Sequence, residues 1–76
     1  MDISTLYTNK NSEVNITKRE KEILKLIGNG LNYIEIAKFL FISKNTVRTH
    51  RQNIMIKLGA KNVAELIKIA TNEGYI

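Results

Sequence analysis

Cationic and hydrogen-bonding side chains are concentrated in the stretch from Ile42 to Leu58, ISKNTVRTHRQNIMIKL, which holds four Lys or Arg residues and no carboxylate. If this stretch is helical, at about 100° per residue, one face carries a row of hydrogen-bonding side chains that together offer donors and acceptors. Groups of this kind can pair with the edges of nucleic-acid bases. The candidate base-reading residues are Asn45, Arg48, Thr49 and Gln52.

Further polar side chains flank this row. Contacts with phosphates fix the register of a protein on a duplex without reading its sequence. The candidate DNA-backbone ligands are Lys44, Thr46, His50, Arg51, Asn53 and Lys57. The stem of Lys57 could instead cover apolar surface. On the opposite side of the helix, Val47, Ile54 and Leu58 form an apolar stripe that would anchor it to a core.

Enzymatic chemistry has little support in this chain. His50 is the single histidine, and it has no serine, cysteine or carboxylate partner at a spacing that suggests catalysis. With no cysteine, neither a disulfide nor a cysteine-based zinc site is possible. We therefore expect no enzyme activity, no metal, no cofactor and no small-molecule ligand.

Length and hydropathy indicate one small domain. The chain has 76 residues, lacks a secretory signal pattern and has no apolar run near the roughly 18 residues that cross a bilayer. We expect a cytoplasmic protein with no membrane partner.

The net charge of +5 is unevenly placed. Residues 36–64 carry six Lys or Arg side chains and no Asp or Glu, whereas residues 1–35 carry five of each sign. The positive surplus thus surrounds the polar row, which favours a nucleic-acid partner.

Periodicity and capping signals predict an all-α fold of four helices. Thr17, Asn32 and Asn62 each precede a glutamate by three residues, the pattern of a capping box, and Ser43 opens the basic helix. Gly30 is the predicted left-handed residue that ends the first helix. The predicted helices span about 17–29, 32–40, 43–58 and 62–73, after a flexible arm or linker at 1–15 and within a domain at 16–76.

From Ile16 to Ala70 the chain resembles the DNA-binding domain of the LuxR/FixJ/GerE family of bacterial transcription regulators, including its free-standing, GerE-like members. The matching residues are ITKREKEIL, Gly30, Glu35-Ile36-Ala37, Leu40, Ile42-Ser43, Thr46-Val47, His50, Ile54 and Lys57-Leu58. The resemblance implies a four-helix helix-turn-helix domain whose third helix enters the major groove. It also implies that Arg48, Thr49 and Gln52 read bases.

Two positions depart from the family pattern. Tyr33-Ile34 stands where Asn-Lys is common, which removes a cation near the helix that crosses the DNA backbone. Val63 stands where an arginine is common at the start of the fourth helix.

The fourth predicted helix has an apolar arc of roughly 160°, wider than the 100° or so that one core requires. The resemblance implies that this helix can support dimerisation. The candidate dimer-interface residues are Val63, Leu66, Ile67, Ile69 and Ala70. The alternative to a dimer interface is that the fourth helix packs deeply in a small core.

Phe39 and Phe41 occupy positions that the core stripe does not require. They either cover the small domain from outside, which we favour, or form a patch for another protein such as RNA polymerase.

The hypothesis is a sequence-specific, DNA-binding transcription regulator that acts as a homodimer on a palindromic operator in double-stranded DNA. One alternative is a promoter-binding domain like that of a sigma factor, which would be monomeric. Another is a protein-interaction adaptor that uses the fourth helix together with Phe39 and Phe41.

Overall fold

Four helices make up most of the chain that the computed structural model describes, residues 15–76. They are α1 (Lys18–Gly28), α2 (Tyr33–Leu40), α3 (Lys44–Leu58) and α4 (Val63–Asn72). No strand occurs within these residues, so the all-α prediction is confirmed, and each predicted boundary agrees to within one residue. The predicted arm at 1–15 lies, except for Asn15, outside the described residues.

The helix starts form as the capping signals predict. Thr17 and Glu20 make a complete capping box, in which the Glu20 amide donates to the Thr17 hydroxyl at 3.1 Å and the Glu20 carboxylate accepts from the Thr17 amide at 2.9 Å. Asn32 and Glu35 make the second box. These bonds satisfy amides that a helix otherwise leaves unpaired, and they fix where α1 and α2 begin.

The start of α4 lacks a complete capping box. The Asn62 side chain accepts from the Glu65 amide at 2.8 Å, but the Glu65 carboxylate accepts from the Lys61 amide, one residue before the cap, at 2.7 Å. The backbone of Asn62 is more extended, with φ −155°. The carboxylate therefore ties the α3–α4 connection to α4.

The core lies where the four helices meet. Its largest fully buried side chains come from all of them: Ile23, Leu24, Ile36, Val47, Ile54 and Leu66. Ile16 is also buried, so the chain joins the core before α1 begins. Among residues 15–76 no helix has the length and apolar character that a membrane span requires.

The turn between α2 and α3 passes through Phe41 in a left-handed conformation, with φ 58° and ψ 43°. Its amide donates to the Ala37 carbonyl, which closes α2. The side chain is 93% exposed, and that of Phe39 is 63% exposed. The expectation that these phenylalanines cover the core from outside is wrong for Phe41, because the left-handed backbone directs its ring into solvent.

Replacing Phe41 with asparagine should raise the free energy of unfolding by about 1 kcal/mol. A bulky residue in the left-handed region is destabilised by roughly that much, and asparagine tolerates this conformation better. The exposed ring of Phe41 buries little apolar surface, so its removal should cost little stability. Thermal unfolding should shift upward by about 4–8 °C. Phe39→Asn is the matched control: Phe39 lies inside α2 and should show no gain. Equal shifts in both variants would contradict strain at Phe41.

Candidate nucleic-acid interface

The orientation of α3 is set by the two residues that it buries completely, Val47 and Ile54. They lie seven positions apart, close to two helical turns, and so share one stripe. Leu58 continues the stripe and packs against the core while partly buried. As a result, the opposite face of α3 is open to solvent along the whole helix.

All four candidate base-reading side chains lie on that open face. Each is exposed: Asn45, Arg48, Thr49 and Gln52. Their spacing over two turns produces a continuous row, so the structure brings together the residues that the sequence grouped. The row presents amide, hydroxyl and guanidinium groups, the donors and acceptors that base edges in a major groove can match.

The N-terminus of α3 is closed by hydroxyl groups alone. The Thr46 amide donates to the Ser43 hydroxyl at 3.0 Å, and the Ser43 and Thr46 hydroxyls share a hydrogen bond of 2.8 Å. The first turn contains no acidic residue. Because the helix dipole is positive at this end, an approaching anion meets a favourable field, to which exposed Lys44 adds.

The remaining candidate backbone ligands differ in access. Asn53 is exposed, whereas His50 and Arg51 are half-buried. His50 therefore lies at the edge of the core. No group of three or more His, Cys, Asp or Glu side chains that could hold a metal ion occurs in the described part of the chain.

Lys57 has partners within the protein. Its ammonium lies 2.8 Å and 3.1 Å from the two Glu20 carboxylate oxygens and 3.0 Å from the Asn15 carbonyl oxygen. The Glu20 carboxylate is buried, with 3% of the residue exposed. Lys57 thus joins the last turn of α3 to the first turn of α1, and we assign it a structural role.

The same contacts determine the ionisation of Glu20. Burial alone would raise the pKa of this carboxyl, but the hydrogen bonds from Lys57 and from the Thr17 amide, with the charge of Lys57, bring the pKa below its ordinary value of 4.5. The carboxylate therefore stays charged near neutral pH. The capping role of Glu20 is predictable from its spacing with Thr17, whereas the ion pair is not, because its partners are 37 residues apart.

Tyr33 contacts the polar face of α3. The guanidinium carbons of Arg48 and Arg51 lie 5.4 Å and 5.7 Å from the centre of its ring, within the range of cation–π attraction. Tyr33 is half-buried, and helical periodicity does not show that it reaches α3. The one feature of the sequence that marks Tyr33 as unusual is its departure from the family pattern at this position.

Ile56 is a second residue on this surface that lies outside the predicted set of contact residues. Its side chain is 72% exposed. It follows Arg48 and Gln52 at intervals of four residues and lines the same groove on α3, together with Met55 and Ala60. The spacing alone could have placed it at the end of the polar row.

The candidate dimer residues on α4 separate into two groups. Leu66 and Ala70 are completely buried in the core of this one domain, so they fix α4 and present no surface to a partner. Val63 is 39% exposed, and Ile67 and Ile69 are half-buried. Val63 and Ile67 also border a cleft that contains Tyr33 and Arg51.

Comparison with protein families gives a match over residues 14–70, to a model described as bacterial regulatory proteins, luxR family. Among curated proteins, the chain is 46% identical over 74 residues to the uncharacterized response regulatory protein YgeK of Escherichia coli K12. That match covers 97% of this chain and 50% of YgeK, so the chain spans half the length of this relative.

Solved structures give the same result for the fold. The response regulator ChrA of a heme-sensing two-component system has a TM-score of 0.80 at 33% identity, covering 96% of this chain and 34% of ChrA. A Vibrio cholera VqmA–ligand–DNA complex gives a TM-score of 0.77 at 30% identity, covering 91% of this chain and 30% of VqmA. The resemblance drawn from the residues is thereby confirmed.

Glu20→Gln should lower the free energy of unfolding at pH 7 by about 1.5–3 kcal/mol, the usual value of a hydrogen bond to a charged group. The folded-state pKa of Glu20 is depressed, so its stabilising contribution is present above pH 4.5 and is lost as pH falls through the folded-state pKa. The difference from wild type should therefore shrink on acidification, as measured by urea unfolding from pH 7 to pH 3.

Glu22→Gln is the control for this measurement. Glu22 pairs with Arg19 at 3.5 Å, with both side chains well exposed, and exposed pairs contribute close to nothing. A loss of similar size in both variants would show that the buried Glu20–Lys57 pair has no special importance.

Proposed function

Because the chain belongs to the luxR family of bacterial regulatory proteins, whose members are DNA-binding transcription regulators, we propose that it binds double-stranded DNA sequence-specifically with α3 in the major groove. One observation carries this proposal: α3 buries one apolar stripe and leaves a row of base-compatible side chains exposed. The positive surplus on residues 36–64 adds the attraction that non-specific association requires.

The proposed contacts divide into two sets. Asn45, Arg48, Thr49 and Gln52 read base edges, with Arg48 suited to guanine and Gln52 to adenine. Phosphates are held by side chains at the ends and edges of the same face, namely Lys44, Thr46, His50, Arg51 and Asn53. Lys57 is left out of this set because its ammonium is engaged by Glu20.

We further propose that the protein is a homodimer on its operator, joined through α4. The exposed part of Val63 and the half-buried Ile67 and Ile69 offer the apolar surface, while Leu66 and Ala70 support it from the core. Two-fold symmetry would place the two recognition helices one DNA turn apart, about 34 Å, and so require a palindromic operator.

Selection of bound sequences from a random DNA pool tests specificity and symmetry together. We expect enrichment of one palindrome with half-sites about one helical turn apart. Sedimentation on this DNA should give two chains per palindrome and one per isolated half-site. Recovery of no preferred sequence would contradict the proposed function, and a single asymmetric site occupied by one chain would contradict the dimer.

Arg48→Ala should reduce the preference for the selected operator over unrelated DNA by the equivalent of about 1–3 kcal/mol. Lys44→Ala should instead weaken binding to all sequences alike and reduce the slope of log affinity against log salt by about 1 per subunit. The measurement is binding at several salt concentrations.

Lys68→Ala provides a charge-matched control, because Lys68 is exposed on α4 and outside the proposed contacts. It should leave both specificity and salt slope close to those of wild type. If Arg48→Ala and Lys44→Ala behaved identically, the division between base-reading and phosphate contacts would be wrong.

A further inference from the structure

Two cations of the proposed DNA-binding face meet at one aromatic ring. Arg48 and Arg51 lie three positions apart on α3, and both guanidinium groups lie within 6 Å of the centre of the Tyr33 ring. Like charges at this spacing repel each other. Among the ion pairs of residues 15–76, neither arginine has a carboxylate partner. The ring of Tyr33 is therefore the group that attracts both guanidinium groups.

The backbone that carries the ring is held firmly, and Tyr33 is half-buried against the core. Tyr33 is the first residue of α2, immediately after the capping box in which the Asn32 and Glu35 amides make hydrogen bonds of 2.8 Å and 2.9 Å. One turn later, the fully buried Ile36 fixes the rotation of α2 against the core. A side chain anchored in this way loses little freedom when DNA binds, and it can limit the freedom of a neighbour.

We infer that Tyr33 is a positioning residue for DNA recognition, holding Arg48 and Arg51 in place before DNA arrives. This inference rests on the proposed function. An exposed arginine gives up rotamer freedom when it pairs with a base, and an arginine already held by a ring gives up less. Arg48 belongs to the proposed base-reading set and Arg51 to the proposed phosphate set. One ring therefore positions a side chain of each set.

The position of Arg51 supports this division. Arg51 is half-buried, lining the cleft that Tyr33 shares with Val63, whereas Arg48 is exposed on the open face of α3. The ring of Tyr33 is therefore shared by a half-buried arginine and an exposed one. Since both contacts are attractive in the absence of DNA, Arg48 is biased toward the orientation in which its guanidinium lies over the ring.

The first test uses the free protein and does not depend on DNA binding. In NMR spectra, the side-chain protons of Arg48 and Arg51 should show ring-current shifts that Tyr33→Leu removes and Tyr33→Phe retains, because phenylalanine keeps the aromatic face. Unchanged arginine shifts in Tyr33→Leu would overturn the arrangement itself.

The second test measures the ratio of affinities for the selected operator and for unrelated DNA. Tyr33→Leu should lower this ratio about three- to tenfold, while Tyr33→Phe should keep it within about twofold of wild type. Introduced into an Arg48→Ala background, Tyr33→Leu should have little further effect on the ratio, because the ring acts through that arginine. An unchanged or increased ratio for Tyr33→Leu alone would overturn the inference.

A matched control separates positioning from general stability. Tyr75 is also half-buried and packs against the core, but among the described residues the cation–π contacts of Arg48 and Arg51 are with Tyr33 and not with Tyr75. Tyr75→Leu should change the unfolding temperature without changing the affinity ratio. If wild-type protein showed no preference between DNA sequences, the proposed function would fail; if wild type showed a preference and Tyr33→Leu kept it, only the role of Tyr33 would fail.

Discussion

The burial of Val47 and Ile54 fixes the rotation of α3 about its own axis, and the rest of the interface depends on that constraint. Two side chains on one stripe suffice because each is fully enclosed by residues from the other helices. A rotation of one residue, about 100°, would bring polar groups into the core and remove the row at Arg48 and Gln52 from solvent. The core thus determines which side chains of α3 are exposed to a binding partner.

The two ends of α3 are stabilised by different interactions. At its start, the Ser43 and Thr46 hydroxyls close the first turn without a negative charge. Near its end, Lys57 is held by the buried carboxylate of Glu20. A carboxylate therefore lies at the C-terminal end of α3, where the helix packs against α1. The first turn of α3 has no acidic residue that would repel an approaching anion.

Local signals predicted the fold well. Thr17 and Asn32 each form the capping box that their spacing with a glutamate indicates, because both partners lie within one turn. The exposed row on α3 followed from helical periodicity for the same reason. These features depend on residues three or four positions apart, which a sequence displays directly.

Features that depend on distant residues were not predictable in this way. The pair between Lys57 and Glu20 spans 37 residues, and Tyr33 reaches Arg48 only after α2 has packed across α3. Leu66 and Ala70 looked suitable for an interface because an apolar arc does not reveal which part faces its own core. Phe41 adopts a left-handed conformation that its residue type disfavours, because the turn between two packed helices requires it.

The contact between Lys57 and the Asn15 carbonyl also fixes the path of the chain. Asn15 therefore lies beside the last turn of α3, about 20 Å along the helix from its capped start at 1.5 Å per residue. A force applied to the chain at Asn15 would act first on the C-terminal end of α3. The capped N-terminal end of α3 would be the last part of the helix to be displaced.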